Sequence, residues 1–380
     1  PPFWKVAPAP AGEAAAAFNL TAPARTLVRD APVRVLLQRG GKKVGELAFL
    51  LPVRGVLDAK LLPMPGKGGK GGAALIVANN SDTPQQITWR MALAGEAPIQ
   101  SGKFNLQAME PAKAYFAEAA EGTRTVGPRE QVRIEVPLAG VDPLAVYRVK
   151  AVVVDPEGRI VEIARYVGGF LAAPRADKAI QLDGRLDEDA WGKCPVAELN
   201  DARQARALRS TAVWKGPEDL SAKLRFLWDD KGLYVAMEVT DDVLANPKEG
   251  ESMWNQDGLQ FLIDPFRAAT DKGGKYDYSL GLGQKGPQAW CHLAPAGVSS
   301  GEAKDVVVAA RPTGKAGGMV YEVFFPWARL APFSPAVGAN LGIAAILNED
   351  DGPGRASFMT WFGDIQTKEV DAVGDVILAE

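Results

Sequence analysis

The chain has 380 residues, 47% hydrophobic, 23% charged and 8% aromatic, with a formal net charge of −3. That apolar content and small charge exclude an intrinsically disordered chain, and no run of about 18 apolar residues is present to span a bilayer as a helix. A single histidine and two cysteines remove Cys- or His-rich metal centres and most general-base designs. Basic residues outnumber acidic ones up to residue 174 and are outnumbered after it, which favours a boundary there. The basic residues of the first half are scattered, with no arginine-rich stripe or stacking motif, so nucleic acid is a poor partner.

In chain order, Pro1-Pro2-Phe3-Trp4-Lys5 carries no basic segment followed by an apolar one, so no signal peptide is read there. The Ala/Pro-rich stretch from Val6 to Ala17 reads as a linker. From there on, short alternation of apolar and polar residues recurs between Gly, Pro, Asn and Asp, the mark of half-buried antiparallel strands. Val33, Val35 and Leu37 form one such set before the Gly40-Gly41 turn. Residues 63–72 (PMPGKGGKGG) have no side chains to build a core and read as a connector or long loop. Ala74–Val77 and Val132/Ile134/Val136 predict further strands. Val152–Val154 and Ile160–Ile163 flank Asp155-Pro156-Glu157-Gly158, where proline presets φ for a type I turn. About seven short strands in residues 67–174 predict an immunoglobulin-like sandwich. Residues 1–66 are a linker and strands, belonging to that sandwich or to a lost neighbour.

The second half alternates more cleanly. Leu224/Phe226/Trp228, Leu233/Val235/Met237/Val239, Leu259/Phe261/Ile263, Tyr276/Tyr278/Leu280/Leu282, Tyr321/Val323/Phe325 and Leu341/Ile343/Ala345/Leu347 each put large side chains on one face of a strand. A helical turn is predicted over Leu186–Gly192 with Asp187 as its cap. The fold class is therefore all-β, two antiparallel β-sandwich domains, the second over residues 175–380. The catalytic search is negative: there is no Gly-x-Ser-x-Gly elbow, phosphate loop or nucleotide fingerprint. Asp257 and Glu322 read as framework acids, and the expectation is a protein that is not an enzyme.

Residues Ile180–Trp191 (IQLDGRLDEDAW), Leu224–Val239 (LRFLWDDKGLYVAMEV), Met253–Asp264 (MWNQDGLQFLID), Tyr321–Ala328 (YEVFFPWA), Leu341–Asp351 with Trp361, and Val373–Leu378 resemble the successive blocks of family 9 carbohydrate-binding modules, in the family's order over residues 178–380. The resemblance, shared with DOMON-like sandwiches, implies a jelly-roll-type sandwich, an extracellular, periplasmic or cell-surface setting, and attachment to other domains. In that family a sugar is clamped between two tryptophans, polar side chains hold its hydroxyls, and calcium stiffens the loops. Trp254 stands in the place of the first tryptophan. Gln260 replaces the carboxylate six residues on and remains a usable partner. Ser279 takes the place of a basic residue, Ile346 that of an amide, and Thr367 that of the second tryptophan. Trp290, on a neighbouring strand, is the candidate replacement ring.

The implied function is weak, non-catalytic binding of polysaccharide by aromatic stacking on Trp254, with Gln260 and Trp290 as further contacts. The alternative is a structural module that has lost its sugar site and packs against other domains of an extracellular complex. A structural calcium ion on Asp241 or Asp242 follows from the resemblance, while the EF-hand spacing is absent around Asn348–Gly352. A third reading, haem held as in DOMON relatives, points to His292 with Met237, Met253, Met319 or Met359, residues that otherwise read as core. Trp191, Trp228, Trp327 and Trp361 read as framework. Cys194 and Cys291 are either paired or two buried thiols. Asn19-Leu20-Thr21 and Asn79-Asn80-Ser81 match the glycosylation pattern.

Overall fold

The computed structural model describes residues 5–9, 17–21, 30–39, 41–52, 55–65, 71–93, 114–210, 212–265, 274–295, 297–315, 317–331, 333–363 and 373–380, with 5–9, 17–21, 30–39 and 47–52 described by backbone alone. Two antiparallel hairpins come first: Lys5–Ala9 pairs with Ala17–Thr21, and Asp30–Arg39 with Lys42–Pro52. Lys5–Ala9 is thus a strand where the sequence read linker.

The first sandwich consists of two four-stranded sheets. One runs in the order Leu57–Met64, Gly72–Asn79, Gln131–Ala139, Tyr115–Phe116, the other Ile160–Gly168, Val146–Val154, Gln85–Leu93, Glu121–Val126. Alternation decides which face is buried: Ile87, Trp89 and Met91 lie in the core while Gln86, Thr88 and Arg90 face solvent. Residues 63–72 close a hairpin. Pro63 pairs with Ala73 and Met64 with Gly72, so the expected connector is shorter than its composition suggested, and its residues 66–70 lie outside the described residues. The predicted turn is present. Asp155 Oδ1 accepts the Arg159 N–H at 2.8 Å, the Gly158 N–H reaches the Asp155 carbonyl at 3.0 Å, and Gly158 adopts φ +73°. Asn79, the acceptor asparagine of one of the two glycosylation matches, is sealed in the core with its amide donating to the carbonyls of Thr83, Val126 and Gly127. Asn19 has no described side chain.

The second sandwich packs a five-stranded sheet on a nine-stranded one. The smaller has the order Ala197–Leu199, Leu220–Trp228, Gly232–Asp241, Met319–Pro326, Val307–Pro312. The larger runs Leu171–Ala173, Gly374–Leu378, Asn340–Glu349, Gly258–Asp264, Tyr276–Gly283, Gly286–Leu293, Gly301–Glu302, with Ser357–Trp361 and Ala205–Ala207 extending from Asn340–Glu349. The alternating sets read from the sequence meet in one core between the two sheets, with only Leu282 at its margin. The helical turn lies at Asp189–Lys193, and Glu188, not Asp187, is its first flanking residue. Glu188 leaves that helix uncapped, because its carboxylate accepts the Gln181 N–H instead. Among the described residues no helix is long and apolar enough to cross a membrane.

The two sandwiches interlock. Leu171–Ala173 leaves the first and pairs, in parallel, with Gly374–Leu378 of the second. Phe170 sits in one core and Leu171 in the other. The buried Asp375 carboxylate accepts from Gly168 N–H at 3.2 Å, Arg165 Nη2 at 3.3 Å and Asn340 Nδ2 at 2.9 Å. Gly169 makes the bend with φ +72°, and a Cβ there would lie 3.1 Å from the Trp361 ring. Arg203 adds an ion pair to Asp142 at 2.8 Å.

Candidate functional site

The site lies on the face of the nine-stranded sheet that points away from the core. Leu259, Phe261 and Ile263 face inward, so Gln260 faces outward, and the same argument turns Ser279, Trp290, His292, Ile346 and Asn348 to that side. Register then aligns them. Gln260 pairs with Ile346 on one neighbouring strand and with Ser279 on the other, and Ser279 pairs with Trp290. Ile346, Gln260, Ser279 and Trp290 therefore form one row across four strands. The 3-10 turn Gly250–Asn255 leans over the end of this row and carries Trp254. Gly250 has φ +52°, and a Cβ there would stand 3.1 Å from the Trp290 ring, so a bare backbone lets the turn pack on that indole.

Trp254 is 41% exposed, an unusually open setting for so large an apolar ring. Its covered side rests on Arg355, whose guanidinium carbon is 5.1 Å from the ring centroid and 5.4 Å from that of Phe358. Arg355 Nη1 donates to Gln260 Oε1 at 2.8 Å and to Asn348 Oδ1 at 2.9 Å, and its backbone N–H donates to Asn255 Oδ1 at 3.0 Å. Burial lowers the Arg355 pKa to about 10. Trp254, Gln260 and Trp290 thus share one face, with Trp290 half-buried and Gln260 engaged by Arg355. Arg355 escaped the sequence reading because it enters from the turn before Ser357–Trp361, an element with no periodic signal. Thr367 lies outside the described residues.

Ser279 Oγ and His292 Nε2 are 2.9 Å apart on this face. Met237, Met319 and Met359 are in the core on the opposite side of the sheet. The haem reading fails for those pairs, since the sheet separates the two ligands. Met253 is buried inside the turn that carries Trp254.

A second cluster forms where strands of the two sheets end. One ligand oxygen from each of Asp241, Asp242 and Glu349 lies within 4.8 Å of the others. Asp241 Oδ1 accepts the Val243 N–H at 2.9 Å, and Glu349 Oε2 is buried with no hydrogen-bond partner. Burial, reinforced by the neighbouring carboxylates, raises the Glu349 pKa to about 9 and that of Asp241 to about 7. Hard carboxylate oxygens with an orphaned acceptor among them fit a calcium ion. Glu349 was missed because its partners are on a strand of the other sheet. Asp257 is framework: its oxygens accept the N–H groups of Ala245 and Asp350, tying two loops together.

Trp191, Trp228, Trp327 and Trp361 are buried, with Trp228 Nε1 donating to the Ala379 carbonyl and Trp327 Nε1 to that of Asp229, both at 2.7 Å. Glu322 Oε2 accepts the N–H groups of Asp183 and Gly184 at 3.0 and 2.6 Å. Cys194 and Cys291 are free and buried.

Residues 182–380 match the family model described as carbohydrate family 9 binding domain-like. Over 83 residues the chain is 32% identical to endo-1,4-beta-xylanase A of Thermotoga neapolitana, a stretch that is 22% of this chain and 7% of that protein. Among solved structures it is similar to a family 9 carbohydrate-binding module of Caldicellulosiruptor kristjanssonii in complex with cellotriose, at 19% identity and TM-score 0.42, over 55% of this chain and 93% of that one. A module from the same organism in complex with glucose gives 17% identity and TM-score 0.41, over 55% and 95%.

Proposed function

Because the chain belongs, through residues 182–380, to the family 9 carbohydrate-binding domains, we propose that it is a non-catalytic, secreted or cell-surface protein that holds polysaccharide weakly on the outer face of its second sandwich. Trp254 is the stacking platform, and Gln260 and Trp290 line the same face. The exposed Trp254 ring carries this reading: a pyranose presents an apolar side, and an open indole is the surface it stacks on. Asp241, Asp242 and Glu349 would hold a calcium ion, whose charge offsets three crowded carboxylates and fixes the loops beside the turn.

The magnitude sets what to expect. A large aromatic presents about 150–250 Å² of surface, and covering half of one ring face at ~25 cal/mol/Å² contributes about 2 kcal/mol. A two-ring clamp of micromolar affinity reduced to one such platform weakens about 10- to 100-fold, toward roughly 0.1 mM, and repeated contacts along a polymer raise the avidity. Titration of soluble glycans against tryptophan fluorescence should therefore give a saturable change, and Trp254→Ala should weaken binding about 10- to 100-fold. Silence across the glycans would overturn the proposal. It would select the assembly reading, which the interlocked joint with the first sandwich supports.

A further inference from the structure

The carboxylate cluster and the Trp254 platform are built on the same two chain segments. One leaves Asp241 and Asp242 at the end of Gly232–Asp241 and finishes in the turn Gly250–Asn255 that carries Trp254. The other leaves Glu349 at the end of Asn340–Glu349 and delivers Arg355, whose guanidinium backs the covered side of that indole at 5.1 Å. At their roots the segments meet through the three carboxylates, with one oxygen from each within 4.8 Å of the others. At their tips they meet through the indole and the guanidinium.

Between root and tip the segments are stitched together. Asp257 accepts the Ala245 N–H of the first and, at 2.6 Å, the Asp350 N–H of the second. Lys248 Nζ donates to the Asn255 carbonyl at 2.6 Å and stands 3.8 Å from Asp350 Oδ2. Asn255 Oδ1 accepts the Arg355 N–H at 3.0 Å. Asp350 Oδ1 accepts the N–H groups of Gly352 and Gly354 at 2.8 and 2.7 Å, which makes the second segment a tight turn. Such a network carries a displacement at the roots to the tips. Charge governs the roots. Among the described residues no lysine or arginine pairs with Asp241, Asp242 or Glu349, and Glu349 Oε2 is buried without a partner. Crowded carboxylates in a partly buried site push apart, and a shared divalent cation draws them together.

We infer that the two ligands are linked: calcium on Asp241, Asp242 and Glu349 sets the spacing of the two segments and with it the Trp254 platform, so saccharide binds the calcium-loaded protein more tightly than the stripped one. The inference rests on the saccharide-binding reading and adds the regulation of that site. Linkage is reciprocal, so a saccharide on Trp254 must tighten calcium by the same factor.

The test titrates tryptophan fluorescence of the full chain with soluble β-glucan, arabinoxylan and galactomannan, neutral polymers with no carboxylate to hold calcium themselves. Titrations run in calcium and in EDTA, at a temperature where circular dichroism shows the stripped protein folded. Affinity for whichever polymer binds should rise about 10-fold in calcium, within the roughly 5- to 150-fold span usual for linked sites. Calorimetry should show calcium binding tightened by the same factor when that polymer is saturating. Asp242→Asn, at an exposed side chain, and Glu349→Gln should hold saccharide affinity at the EDTA value in either buffer. Where Glu349→Gln fails to fold, the reciprocal pair of titrations on the unaltered protein decides alone. Equal saccharide affinity in calcium and EDTA overturns this inference and leaves the Trp254 platform standing, and so does a calcium effect that both variants retain. No polymer bound in either buffer removes the saccharide reading with it.

Discussion

An indole backed by a guanidinium is held flat on one side and open on the other, and this arrangement makes Trp254 more than a surface hydrophobe. Its place could be read from the sequence because Met253–Asp264 is contiguous, with the turn and the following strand adjacent in chain and in space. Arg355 could not, because only the fold brings it from beyond Asn340–Glu349 to the side of Gln260. Glu322 shows a different use of a buried acid. Its Oε2 holds two backbone N–H groups while Oε1 is buried without a partner, and burial raises its pKa above 4.5. The unfolded chain therefore releases this proton first, so the stability linked to it is full below about pH 4.5 and declines as pH rises toward the folded value. Glu322→Gln should flatten that part of the pH profile, seen by urea unfolding at about pH 5 and pH 8. Glu322→Ala should cost about 1–3 kcal/mol at either pH, because Asp183 and Gly184 lose their acceptor.

Strands were the most legible elements, since a sheet buried on one face writes its period of two into the sequence, as in Leu259/Phe261/Ile263 and Leu341/Ile343/Ala345/Leu347. What lies where strands end was not legible: Asp241 closes Gly232–Asp241 in one sheet, Glu349 closes Asn340–Glu349 in the other, and sandwich packing alone joins them. Calcium at about 100 times its dissociation constant should stabilise the protein by about 2.7 kcal/mol, raising Tm by roughly 5–10 °C for a domain of this size, and EDTA should reverse the shift. Glu349→Gln should abolish the calcium response in the same thermal scan. A melting temperature that ignores both calcium and EDTA would remove the ion from the account. The bend between strands makes a separate prediction. Gly169→Ala would force a side chain into φ +72° against the Phe362 and Trp361 rings, at a cost of about 1–3 kcal/mol by chemical denaturation.

At the level of the whole molecule, the charge asymmetry marked a change near residue 174 without revealing how the halves meet. No local pattern announces that Leu171–Ala173 would join the sheet of the following sandwich, because a three-residue strand is too short to show a period. Asp375 locks that exchange from the other side, tying Gly168, Arg165 and Asn340 together. The full chain should therefore melt with its two sandwiches coupled. Asp375→Ala should cost about 3–5 kcal/mol by leaving Arg165 without this counter-charge, and should split the calorimetric transition into two. The parallel pairing also has a mechanical side. Leu171–Ala173 leads away from the first sandwich while Gly374–Leu378 runs out toward Glu380, so tension between those ends would slide the two strands along each other. Their hydrogen bonds would then be strained together in shear instead of unzipping one by one, which slows forced rupture.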